Sequence, residues 1–163
     1  MKKSMKATFL TILVTAAMLM AVSPLVAQDQ PADNMQIMLD KVKADKKLVV
    51  AENMGLTEAE AEAFWPVYEE YQKGLAAINE RLGKLIGSYA EGYNADTLTD
   101  EKAAKLIDES LAISKAGVEL QASFVPKLSA VLPARKVMRY IQIENKIRAL
   151  VNFGLAAEVP LVY

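Results

Sequence analysis

Eight apolar residues, Phe64, Tyr68, Tyr71, Leu75, Ile78, Leu82, Leu85 and Tyr89, follow one another at intervals of 4, 3, 4, 3, 4, 3 and 4. A helical period returns all of them to one face, whereas a strand would scatter them over two. The stripe lasts about seven turns, and a helix of that length with one apolar face needs a partner along it. Ahead of the stripe, Thr57-Glu58-Ala59-Glu60 has the form of a capping box: the threonine hydroxyl accepts from the amide three residues on, and the glutamate reaches back to the cap amide. Behind it, Glu91-Gly92-Tyr93-Asn94-Ala95-Asp96 carries glycine and turn-forming side chains. The spacing predicts a helix over 57–91.

A second pattern of matching length follows. Thr99-Asp100-Glu101 supplies a cap and early acids, which suit the positive end of a helix. Ala103, Ile107, Leu111, Ser114, Val118, Gln121, Val125 and Leu128 then form the predicted seam of a helix over 99–131. Flanking these, Met35, Met38, Val42 and Val49 lead to Asn53-Met54-Gly55 and predict a helix over 34–54, with Gly55 available for a left-handed stop. Pro133 opens a helix over 134–153 that carries Val137, Ile141, Ile147 and Val151, with Asn152-Phe153-Gly154 at its end. From Ala156 to Tyr163 runs an apolar tail containing Pro160. Strand alternation occurs nowhere. The expectation is an all-α, four-helix protomer built on a long, kinked antiparallel helical hairpin. Pro66 lies 29 residues before Ala95 and Pro126 lies 31 after it. At ~1.5 Å per residue both fall roughly 45 Å from the turn, where matched bends would curve the pair. The alternative is that each proline merely sits near a helix end.

Lys2, Lys3 and Lys6 precede an apolar run from Ala7 to Val22, and Pro24-Leu25-Val26-Ala27 ends in a small residue before Gln28. This order predicts an exported chain, with residues 1–27 a signal peptide cleaved near Ala27 and 28–163 a single helical domain. The apolar run is short for a membrane span and is diluted by Thr8, Thr11 and Thr15, so no stable membrane anchor is expected. Removing the leader takes three lysines and no acid, leaving 16 basic against 20 acidic residues. That balance argues against nucleic acid as a partner, since phosphate binding needs a concentrated basic surface.

The chain has no histidine and no cysteine. A serine–histidine–aspartate triad, a cysteine nucleophile and zinc sites of the imidazole or thiolate kind are thereby excluded. Neither a Gly-rich phosphate loop nor a Ser-x-x-Lys pair is present. No catalytic residue, cofactor site or metal site is assigned, and the chain is not expected to be an enzyme. Glu58, Glu60 and Glu62 could hold a hard cation, but acids in a first turn are favoured by the helix dipole with no further purpose. Met35, Met38, Met54 and Met138 could bind copper(I), yet methionine is far more often adaptable core filler.

Charge is uneven. Glu52 to Gln72 holds six acids and no base, while Pro133 to Arg148 holds five bases against Glu144 alone. Either these two stretches lie together and offset one another, or Arg135 and Arg139, one turn apart, form a basic strip that steers anionic partners. Phe64, Tyr68 and Tyr71 fit the seam as core. Trp65 lies off it, and is the better candidate for an exposed contact.

Leu56-Thr57-Glu58-Ala59-Glu60, Phe64-Trp65-Pro66-Val67-Tyr68, the leader, and Val131-Leu132-Pro133-Ala134-Arg135-Lys136 before the last helix together resemble the Spy/CpxP family of periplasmic proteins, known for LTxxQ motifs. Leu56, Thr57, Glu60 and Leu132 are the positions that carry the motif. Glu60 stands where the family has glutamine, a change that a capping box tolerates. In the second copy Pro133 replaces threonine and Lys136 replaces glutamine. The resemblance implies a homodimer curved into a cradle, with ATP-independent chaperone activity or a part in the envelope stress response. Its partners would be unfolded or envelope proteins, contacted by Trp65, Arg135 and Arg139. Alternatives are an accessory regulator of one envelope sensor protein, or a periplasmic metal sensor. The metal-sensing relatives usually rely on histidine.

Overall fold

The computed structural model describes residues 45–162, and the expected signal peptide over 1–27, its cleavage point, Met35, Met38 and residues 34–44 of the helix expected over 34–54 lie outside them. Within the described residues the chain is all-α, with four helices and no strand: α1 (Lys46–Met54), α2 (Glu58–Asn94), α3 (Asp100–Val131) and α4 (Ala134–Glu158).

Local chemistry sets each boundary. Asp45 has non-helical dihedrals, φ −157° and ψ 89°, and its carboxylate accepts from the Leu48 amide, so α1 starts at Lys46 rather than running through from 34. Gly55 stops it at φ 57°, ψ 46°, a left-handed conformation that a side chain would strain. Thr57 and Glu60 form the expected capping box in both directions, with bonds of 3.3 Å and 2.8 Å. Helix α2 outlasts its expected end at 91, because Gly92 stays helical and is buried against Leu98. The break comes instead after Asn94, where Asp96 turns to φ 52°. Thr99 caps α3 by accepting from the Lys102 amide. Helix α4 runs through Asn152-Phe153-Gly154 to Glu158, five residues beyond expectation. Its stop is Pro160: the residue before a proline is disfavoured from helical dihedrals, and Val159 is extended.

Partners along α2 and α3 run in opposite directions. Glu70 pairs with Lys127, Tyr71 meets Phe124, Gly74 lies against Leu120, Arg81 pairs with Glu109 and Gly92 lies against Leu98. Both helices continue through their prolines, Pro66 in α2 and Pro126 in α3. Since Phe124 and Lys127 face Tyr71 and Glu70, the two prolines come about one helical turn apart along the pair. Helix α4 lies beside both. Glu144 meets Gln72, Asn145 meets Gln121, and beyond the helix Pro160 meets Tyr89.

The core gathers at the end where α1 joins. Val50 and Met54 of α1, Phe64, Tyr68 and Tyr71 of α2, Phe124 and Leu128 of α3, and Tyr140 of α4 are buried together. Tyr140 sits among Phe64, Tyr71 and Tyr68 with centroids 5.2, 6.0 and 6.2 Å away in edge-on arrangements, the geometry aromatic quadrupoles favour.

One expectation is overturned. Most of the seam predicted for α3 does not meet α2: of its members only Leu128 is buried. Ile107, Leu111 and Val118 are 60, 64 and 62 % exposed, and Val125 is 39 % exposed. Packing against α2 falls to Phe124, Leu128 and Leu120, with Leu98 ahead of the helix. Helix α3 carries two apolar stripes, one residue step or ~100° apart, and periodicity alone does not say which of them finds a partner.

Candidate functional site

The residues that carry the family likeness meet one another. Leu56 packs against the core, Leu132 is buried in it, and the Lys136 ammonium pairs with the Glu60 carboxylate while donating to the Gly55 carbonyl at 2.9 Å. Thr57, Glu60 and Lys136 thus tie the α1–α2 corner to the start of α4. The Lys136 ammonium first, then the Thr57 amide, hold the Glu60 carboxyl below its usual range. A capped helix end with an ion pair behind it is a joint, and its polar groups are already committed to one another.

Of the contact candidates, Trp65 is half-buried: its ring packs edge-on against Phe64 and Tyr68 at 5.1 and 5.2 Å. The Lys47 ammonium lies 5.1 Å over it, and pairs with Glu69. Trp65 is therefore partly covered, contrary to a free contact residue. Arg135 and Arg139 are exposed on α4. Arg139 donates to the Asn53 carbonyl at 2.6 Å, satisfying the open C-terminal end of α1. With Lys146 the two arginines rim a groove of 500 Å³ between α1 and α4, floored by Val49, Ile143 and Leu150 and without an acidic side chain. Met138 is 64 % exposed beside it, so this methionine is not core filler, unlike Met54.

Among the described residues, charge is buried at one place. Glu144 is 3 % exposed, and each of its oxygens is held by the protein: Lys46 donates to one at 2.8 Å and Gln72 to the other at 3.1 Å. Gln72 also donates to the Tyr140 hydroxyl at 3.4 Å and accepts from Lys46 at 2.9 Å. Burial, reinforced by the Glu144 charge, pushes the Tyr140 and Tyr68 hydroxyls well above the ordinary tyrosine value and raises that of Tyr71 as well. This network joins α1, α2 and α4 from inside. No group of three acidic, histidine or cysteine side chains able to hold a metal occurs among the described residues.

Among the described residues, the apolar stripe that sequence reasoning assigned to the core of α3 is left largely exposed. Ile107, Leu111, Val118 and Val125 span 18 residues, five full turns, and so share a line ~27 Å long on α3. Ser114 and Gln121 continue that line without charge, so the face is apolar and small rather than ionic. The signal for it was present in the seam itself; what was missing was which of two stripes the neighbouring helix would take. No helix among the described residues is long and apolar enough to cross a membrane. Comparison with family models, with curated proteins and with solved structures gives no match.

Proposed function

We propose that this chain is an exported protein of the Spy/CpxP type that binds other proteins, holding unfolded or envelope polypeptides in the periplasm without nucleotide and without catalysis. The observation that carries the reading is the exposed line Ile107, Leu111, Val118 and Val125 on α3. Apolar surface of this continuity is a site for protein contact, because water gains by being released from it. Unfolded polypeptide offers scattered apolar side chains that match a long, chemically uniform strip better than a shaped pocket. The cationic rim of Arg135, Arg139 and Lys146 supplies a second kind of contact for acidic stretches of the same client. Seven-residue intervals between Leu111, Val118 and Val125 also suit pairing with a second copy of the chain, consistent with a homodimer. The leader directs the chain to the periplasm.

The test is aggregation of a denatured client in the presence of the chain from residue 28 onward and no ATP. Wild type is expected to suppress aggregation and Val118→Asp to lose most of that suppression while keeping its helical circular dichroism. Absence of suppression at molar excess, or full suppression by Val118→Asp, would overturn the reading. Pull-down of one stoichiometric partner in place of many clients would make the chain a dedicated regulator.

A further inference from the structure

Helices α2, α3 and α4 leave a groove of 290 Å³ between them, bordered at one end by Lys46. Its apolar walls are Leu75, Ile78 and Leu82 of α2, Ile113 of α3, and Ile147 and Val151 of α4. Leu75 and Leu82 stand seven residues apart on one helix, so the apolar stretch is ~10 Å long. Ile113 and Ile147 are buried in its floor, and Val151 is 37 % exposed at its rim. Gly117 also borders the groove, and a Cβ there would meet no atom within 4 Å. The ionic groups are Lys46, Glu144 and Arg148, gathered at the end where Glu144 meets Gln72. The other polar side chains lining it, Asn79, Ser110, Ser114 and Asn152, are neutral.

Two cations border this groove against one acid, and the pairing leaves Arg148 over. Glu144 lies one turn before Arg148 on α4, but its oxygens are held by Lys46 at 2.8 Å and Gln72 at 3.1 Å. Among the described residues no carboxylate pairs with Arg148. The residue is half-buried. Beside it the Tyr71 hydroxyl is buried without a hydrogen-bond partner; burial and Glu144 raise its pKa, and the Arg148 charge draws it back. A guanidinium partly withdrawn from water and set against apolar walls is stabilised by an anion that meets it. We infer that this groove binds a small amphiphilic monoanion, a carboxylate on an unbranched apolar tail, with its head on Arg148 and its tail along Leu75 to Leu82. One negative charge balances Lys46, Glu144 and Arg148. The planar guanidinium offers a carboxylate two parallel donors, which a lysine could not. The tail releases water from apolar walls on three helices. Apolar lining with a few convergent polar groups is the usual form of a small-molecule site, and helix bundles place such sites between their helices. The groove is distinct from the exposed line of α3, and this inference does not rest on the protein-binding reading.

The test is isothermal titration calorimetry of the purified full chain with octanoate, octanol and acetate. Octanoate is expected to bind at a single site. Octanol, which has the tail without the charge, should bind about tenfold more weakly, the loss of a hydrogen bond to a charged group. Acetate, which has the charge without the tail, should give no measurable heat. This comparison on the wild-type chain needs no variant to fold. Arg148→Met keeps a long apolar side chain and removes the charge, so it should weaken octanoate about tenfold and leave octanol as in wild type. A general loosening of the fold would weaken both ligands. Val151→Asp at the exposed rim sets a negative charge beside the tail and should abolish octanoate binding, with helical circular dichroism unchanged. No binding of octanoate, equal binding of octanol, or octanoate affinity unaltered by Arg148→Met or by Val151→Asp overturns the inference.

Discussion

The two ends of the long helix pair are built from the same kind of pattern and come out differently. At the end where α1 joins α2, α3 and α4, apolar residues at helical spacing become a core: Phe64, Tyr71, Leu128 and Tyr140 are each at most 2 % exposed. Toward the α2–α3 turn the spacing is as regular, yet Leu75, Ile78, Leu82 and Leu85 are only half-buried and Ile107 and Leu111 face solvent. Periodicity decides which residues share a face. Burial is decided by how many neighbours meet that face, and among the described residues only one end has a fourth helix to close over it. The well-packed end holds the molecule together, and the thin end supplies the surface.

Single alanine substitutions should separate the ends most widely. Phe64→Ala is expected to cost about 3–5 kcal/mol in urea unfolding, the toll of an aromatic-sized cavity. Leu111→Ala, which leaves no cavity, should stay within about 0.5 kcal/mol. Comparable losses at both sites would mean that the stripe is covered. Alkaline pH probes the same contrast through ionisation. Tyr68, Tyr71 and Tyr140 are held neutral in the folded state, chiefly by burial, so their pKa values rise from 10.0. The unfolded chain ionises these groups first. Their contribution is therefore fully present below about pH 10 and is lost as pH climbs beyond it, by roughly 1 kcal/mol at pH 11 for each of Tyr68 and Tyr140, with Tyr71 acting in the same direction. Urea midpoints measured from pH 8 to 11 should fall accordingly, and a Tyr140→Phe variant should fall less steeply. A smaller effect than that of Phe64 belongs to the joint at the well-packed end: Thr57→Ala removes a helix cap and is expected to cost about 1 kcal/mol in the same assay. At low pH the Glu60 pair weakens in the opposite sense, since its depressed carboxyl stabilises above the usual carboxylate range and stops doing so as pH falls through its own pKa.

Much of this fold was legible in the sequence because its signals are local. The capping box at Thr57, the left-handed stop at Gly55 and the stripe of α2 all depend on near neighbours, and each appears where expected. What depended on distant partners was not legible. Helix α3 offers two apolar faces, and the more regular one reads as the seam, although Phe124, off that line, makes the contact with Tyr71. Gly154 looked like a stop, but a glycine inside a helix only weakens it, whereas Pro160 dictates the end through the residue before it. Trp65 looked free because it left the stripe of α2. It is instead roofed by Lys47 from α1, a contact between residues 18 apart in sequence. The contact between the segments around Glu60 and Lys136 was not legible either, since it joins residues 76 apart in sequence.

The central claim is that polypeptide binds the uncovered line of α3, and site-specific photocrosslinking tests it most directly. A crosslinker replacing Val118, 62 % exposed on the stripe, is compared with one replacing Phe153, 51 % exposed on α4 and outside it. The account expects a denatured client to be captured at 118 and hardly at 153. Equal capture at both positions, or capture at 153 alone, would contradict it.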